Sequence, residues 1–170
     1  MKKFIFCLVT AFCVLSLAAA NITVADGKKS AYTVVLPDTS GDKYLNIYVD
    51  LAGEMIKSVI QKASGAQLKL VKESAFDGKG PAIFVGNTKA LAKVGLSSKG
   101  FDLWEHVIAV KGKDIYIFGL DLPSPFKHNK SYTHMSIGTL KGACVFAEKF
   151  ANTRFIVCRK RPDKDRKSVV

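Results

Sequence analysis

Apolar and polar positions alternate along this chain in a way that names most of its secondary structure. Leu45, Val49, Ala52, Ile56, Val59 and Ala63 recur at intervals of three and four residues, with Tyr48, Met55 and Ile60 widening the stripe. That spacing predicts an amphipathic helix of about five turns, stopped by Gly65 and preceded by capping residues between Asp38 and Asp42. Ala31–Leu36 is rich in β-branched residues and halts at Pro37, so it reads as a first strand. Leu68–Lys72 is a short second strand. Ala82-Ile83-Phe84-Val85 is a continuous apolar run, as expected of a strand covered on both faces. Gly86-Asn87-Thr88 turns the chain into a short helix through Leu91 and Val94. Val107–Lys111 and Asp114–Phe118 flank Gly112-Lys113, a pair suited to a type II′ hairpin turn. A polar loop from Asp121 to His134 leads to a second helix, about Ile137 to Ala151, and then to a last strand, Arg154–Val157. Helices and strands are mixed and the one explicit pairing is a hairpin. The expected class is α+β, with a mixed, mostly antiparallel sheet and two main helices packed on one face.

The first twenty residues follow a different pattern. Lys2 and Lys3 precede an uncharged run from Phe4 to Leu17, and Ala18-Ala19-Ala20 supplies the small residues of a signal-peptidase site. Residues 1–20 therefore read as an export signal cleaved between Ala20 and Asn21, with no membrane span left after processing. The expected location is periplasmic or extracellular. The remaining 150 or so residues fit one domain, residues 21–158, followed by a basic tail, residues 159–170.

Charge changes the picture less than its total suggests. The net charge is +12 over 170 residues. Two of those charges belong to the leader, and a net four belong to the tail, where Arg159, Lys160, Arg161, Lys164, Arg166 and Lys167 face Asp163 and Asp165. Half the total remains on the body, enough for solubility and a mild attraction to polyanions. Export and the lack of a basic–aromatic recognition motif argue against nucleic acid as a partner.

Candidate chemistry is sparse. His106, His128 and His134 lack the spacing of a helical zinc motif, and no glycine-rich phosphate loop is present, so neither metal nor cofactor is expected. The acids are scattered over turns and polar faces, whereas glycoside hydrolysis needs two carboxyl groups about 5–9.5 Å apart. Asp121, at a strand end, stands out among them but has no evident partner. No catalytic residue is assigned. Phe126, His128 and Tyr132 lie in the Asp121–His134 loop with amide and ammonium donors around them, which makes them candidate glycan contacts as well as ordinary loop residues. Of the four cysteines, Cys144 and Cys158 lie beyond the leader. Helix and strand lengths would let them meet in a structural disulfide; two separate buried thiols are the alternative.

Several segments, taken in order, resemble a known family. "KYLNIYVDLAGEMIKSVIQKASGAQLKLVKES", "GPAIFVGNTKAL", "DIYIFG" and "GTLKGACVFAEKFANTRFIV" are similar to the small N-terminal domain ahead of the catalytic barrel in bacterial beta-N-acetylhexosaminidases and alpha-glucuronidases. Ser64-Gly65-Ala66 stands where that family has Thr-Gly-Ala, Ile83–Thr88 matches its strand and turn, and Gly138-Thr139-Leu140, Phe146, Glu148 and Arg154-Phe155 match its helix and strand. The resemblance spans residues 30–157. It implies a zinc-protease-like outline without a metal centre, and a non-catalytic role beside a glycosidase barrel or on a polysaccharide. The family's catalytic carboxylates sit on the barrel. Here Val157 is followed by Cys158-Arg159-Lys160-Arg161, so the expectation is an orphan or truncated accessory domain, with a free-standing glycan-binding module of the cell envelope as the alternative.

Overall fold

A computed structural model describes residues 22–39, 41–123 and 135–153. The elements are β1 (Thr33–Leu36), α1 (Lys43–Ser64), β2 (Lys69–Lys72), a 3-10 turn (Glu73–Ala75), β3 (Ala82–Val85), α2 (Lys89–Lys93), β4 (His106–Lys111), β5 (Asp114–Gly119), β6 (Asp121–Leu122), β7 (Ser136–Ile137) and α3 (Gly138–Phe150). The expected last strand at 154–157, the cleavage site and the basic tail lie outside the described residues.

Five strands form one sheet in the order β2-β1-β3-β5-β4, and β6 pairs with β7 in a separate two-stranded ribbon. The α+β class holds, but the pairing expectation does not. β1 pairs in parallel with both β2 and β3, and β3 pairs in parallel with β5; among the described residues β4–β5 is the one antiparallel ladder of the large sheet. The hairpin was visible because a two-residue turn forces its strands to run oppositely. The parallel pairs join segments separated by crossovers, which leave no local turn signature. Their trace is the continuous apolar sequence of the central strands, Val34-Val35-Leu36 and Ala82–Val85, buried along its whole length.

Period-two alternation sorts these strands between two apolar layers. Val34, Leu36, Ile83, Val85, Ile115 and Ile117 face α1 and α3. Val35, Phe84, Tyr116 and Phe118 face the opposite layer, where α2 contributes Ala90 and Leu91. The two main helices therefore share one face, as expected. Gly53 lets α1 lie close to β1, because a Cβ there would fall 2.6 Å from Leu36 Cδ2. On the other face aromatic rings fill the space, with Phe84 stacked on Tyr116 at 5.0 Å and Phe101 on Phe118 at 5.8 Å.

Local chemistry sets the element ends. Asp42 caps α1 by accepting from the Tyr44 and Leu45 amides at 3.0 Å, and Gly65 ends it with φ +78°. At the hairpin, Gly112 takes φ +62° while Lys113 stays out of the left-handed region, as the type II′ expectation requires. No helix among the described residues is long and apolar enough to cross a membrane.

Candidate functional site

The carboxyl ends of parallel strands are where open sheets of this kind usually gather ligands. At that end of this sheet, β3 runs into Gly86-Asn87-Thr88, β5 runs into Gly119-Leu120-Asp121, and α3 begins at Gly138. Asp121 is the centre of the polar groups there. Its carboxylate accepts from the Thr139 amide at 3.0 Å, from the Thr139 hydroxyl, and from Asn87 Nδ2 at 3.3 Å. Asn87 also donates to the Gly119 carbonyl at 3.0 Å and accepts from the Ser98 hydroxyl at 2.8 Å. Burial pushes the Asp121 carboxyl above the usual carboxylate range, while the two Thr139 hydrogen bonds pull it back. The sequence singled out Asp121 but missed Asn87 and Thr139. Nothing links residues 34 and 18 positions away until the strands are laid side by side.

Backbones meet very closely at this junction. A Cβ on Gly119 would sit 2.5 Å from the Glu105 carbonyl oxygen, and one on Gly138 would sit 2.6 Å from the Leu120 nitrogen. The Leu120 amide donates to the Glu105 carbonyl at 3.0 Å, and the Gly138 amide to the Leu120 carbonyl at 3.1 Å. Ser136, fully buried, donates its hydroxyl to the Leu120 carbonyl. The same hydroxyl accepts from the Trp104 amide at 2.9 Å. The result is a knot of hydrogen bonds that ties the start of α3, the end of β5 and the 102–105 turn together.

That turn is the unusual feature of the site. Its ends are closed by the Glu105 amide donating to the Asp102 carbonyl at 3.0 Å, and by the Asp102 amide donating to Glu105 Oε2 at 2.7 Å. Leu103 and Trp104 occupy its two central positions and are 55% and 37% exposed. Trp104 has φ +67°, a backbone state that costs a non-glycine residue about 1–2 kcal/mol. Its amide is held by Ser136, and its carbonyl lies 3.3 Å from His106 Nδ1. Turn apices ordinarily carry glycine or small polar residues, so a Leu-Trp pair there runs against local preference.

An apolar concavity lies away from this junction, at the opposite end of the helix layer. It has a volume of about 610 Å³ and is walled by Val24, Ile60, Ile108, Val110, Phe146 and Phe150, among other residues of mostly apolar character.

The residues singled out in the sequence are not all brought into view. Phe126, His128, Tyr132 and Cys158 lie outside the described residues. Cys144 lies on α3 with its Sγ 3.9 Å from Met55 Sδ. Burial first, then the nearby Glu148 charge, raises its thiol above the usual range, which disfavours the reactive thiolate. Among the described residues no group of three His, Cys, Asp or Glu side chains is arranged to hold a metal ion. The fold and this junction define an α+β domain with a polar knot at the ends of its parallel strands. No family model matches the chain, and no curated protein matches it.

Proposed function

We propose that this chain is an exported, non-catalytic accessory domain of a carbohydrate-active enzyme, acting beside a catalytic barrel rather than by turnover of its own. The observation that carries the reading is where its carboxylates are used. Asp42 caps α1, Glu73 caps α2 through the Lys89 and Ala90 amides at 2.9 Å, and Asp121 caps α3 through the Thr139 amide. Asp114 accepts from the Ala82 amide at 2.8 Å and so holds the start of β3 to β5. Carboxylates spent on helix ends and strand junctions serve architecture. The order of elements and the positions of the family-like segments support the same reading: Ser64-Gly65-Ala66 forms the end of α1, and Ile83–Thr88 forms β3 and its turn.

The test is turnover by the purified chain on a panel of chromogenic glycosides. No activity above a mock purification is the expected result. Hydrolysis that disappears in Asp121→Asn, with the fold intact, would overturn the proposal. A glycan-binding module is a second reading, favoured by the exposed aromatic at the 102–105 turn.

A further inference from the structure

We propose that the Asp102–Glu105 turn is a contact site for a neutral glycan, with a pyranose ring stacked on the Trp104 indole and its hydroxyls donating to the Asp102 and Glu105 carboxylates. The inference deepens the glycan-binding reading by naming a site and a ligand class, and it rests on that reading. It does not depend on the accessory-domain reading, since a domain can hold glycan for a barrel or by itself.

Three observations converge on the turn. All four residues, Asp102 to Glu105, are exposed, and neither Leu103 nor Trp104 belongs to either apolar layer of the fold. Packing covers much of Trp104 but leaves 37% of it, and 55% of Leu103, open to solvent at the turn apex. The Trp104 backbone is fixed from both sides, by the buried Ser136 hydroxyl and by His106, in a conformation its side chain disfavours. With the backbone tethered, only the rotamers of the indole itself remain to be fixed when a ligand settles on it, which lowers the ordering cost of a single stacking surface. The rim chemistry then selects the ligand. The Asp102 carboxylate makes no hydrogen bond or ion pair among the described residues, and Glu105 uses one oxygen on the Asp102 amide. A carboxylate accepts hydrogen bonds and donates none. Sugar rings offer both matching features, a face of C–H groups for an indole and a rim of hydroxyl donors. The same two carboxylates repel phosphates and anionic lipid surfaces. Two side chains at an apex are also too small an apolar area for a stable protein interface.

Trp104 is the sole tryptophan in the chain, so tryptophan emission, excited selectively over tyrosine, reports on this site alone. The full secreted chain is titrated with cellohexaose, chitohexaose, xylohexaose and mannohexaose, each read by tryptophan emission, by acrylamide quenching and by calorimetry. The expected result is a saturable emission change with at least one of them and protection of Trp104 from acrylamide. Calorimetric affinity for that sugar should fall about tenfold or more in Trp104→Ala and several-fold in Asp102→Asn, with Trp104→Phe retaining most of it. Should Trp104→Ala fail to fold, Asp102→Asn and the acrylamide protection decide the matter. Absence of any response with all four sugars overturns the proposal. So does calorimetric binding that leaves Trp104 emission and quenching unchanged, which would put the glycan elsewhere on the chain. Neither outcome touches the accessory-domain reading, which is tested by turnover.

Discussion

Replacing Asp121 with alanine tests the polar knot where it is most connected. The substitution removes the acceptor for the Thr139 amide, the Thr139 hydroxyl and one hydrogen bond of Asn87. Loss of a helix cap costs about 0.5–2 kcal/mol. A donor left unpaired in a partly buried setting costs about 1–3 kcal/mol more. Set against this, the charge no longer has to be desolvated, the effect that raises the Asp121 carboxyl. The Asn87 amide also keeps its hydrogen bond to the Gly119 carbonyl. The net expectation is about 2 kcal/mol of destabilisation, since the two penalties partly overlap and the relief of desolvation, the largest influence on this carboxyl, offsets part of their sum. With a urea slope of about 2 kcal/mol/M, the unfolding midpoint should fall by about 1 M. Hydrogen exchange should show the first turn of α3 opening before its last turns. A change of less than about 0.5 kcal/mol, with no faster exchange at Thr139, would mean that the carboxylate does not hold α3 and that the argument built on its hydrogen bonds is wrong.

Asp121 also predicts a pH dependence. Its folded-state pKa is raised, so the native state holds a proton that the unfolded chain releases; stability from this group falls as pH rises from the ordinary carboxylate range toward the raised value. Asp121→Asn should flatten that part of the stability–pH profile, measured by urea unfolding at a series of pH values. At α2, Glu73→Ala removes the side chain that caps the helix and should cost about 1 kcal/mol. Thr88→Val should be neutral or slightly stabilising, because the buried Thr88 hydroxyl has no partner among the described residues and the isosteric methyl avoids its desolvation; a lowered unfolding midpoint would show that the hydroxyl is satisfied. Ile117→Ala opens a cavity in a fully buried position and should cost about 2–5 kcal/mol by the same measurement. Gly119→Ala forces a methyl against the Glu105 carbonyl and should leave little folded protein, read as lost near-ultraviolet circular dichroism.

How much could be read from the sequence follows from the range of each interaction. The α1 helix, its Gly65 stop, the buried β3 run, the short α2 and the β4–β5 hairpin were all legible because their determinants lie within a few residues of one another. The helix bounds were off by a residue or two, since the flanking turns carry little apolar pattern. Strand pairing was not legible beyond the hairpin. A mostly antiparallel sheet was the natural extension of the one visible turn. The observed order instead comes from register between strands joined by a helix or a long connection, where Val34 pairs with both Leu70 and Ile83.

The candidate site divides the same way. Asp121 stood out as an acid at a strand end, but its partners, Asn87 and Thr139, come from the ends of two other elements and meet it only when the sheet is assembled. Trp104 was invisible as a feature because nothing local marks it as a positive-φ residue; the hydrogen bond from its amide to Ser136, thirty-two residues on, holds it there. By itself the sequence determined the elements, their apolar faces and the α+β class, through short-range periodicity and turn chemistry. Only the tertiary structure decided strand direction, the carboxylate's partners and the pinned turn, because those depend on contacts between residues that the chain keeps far apart.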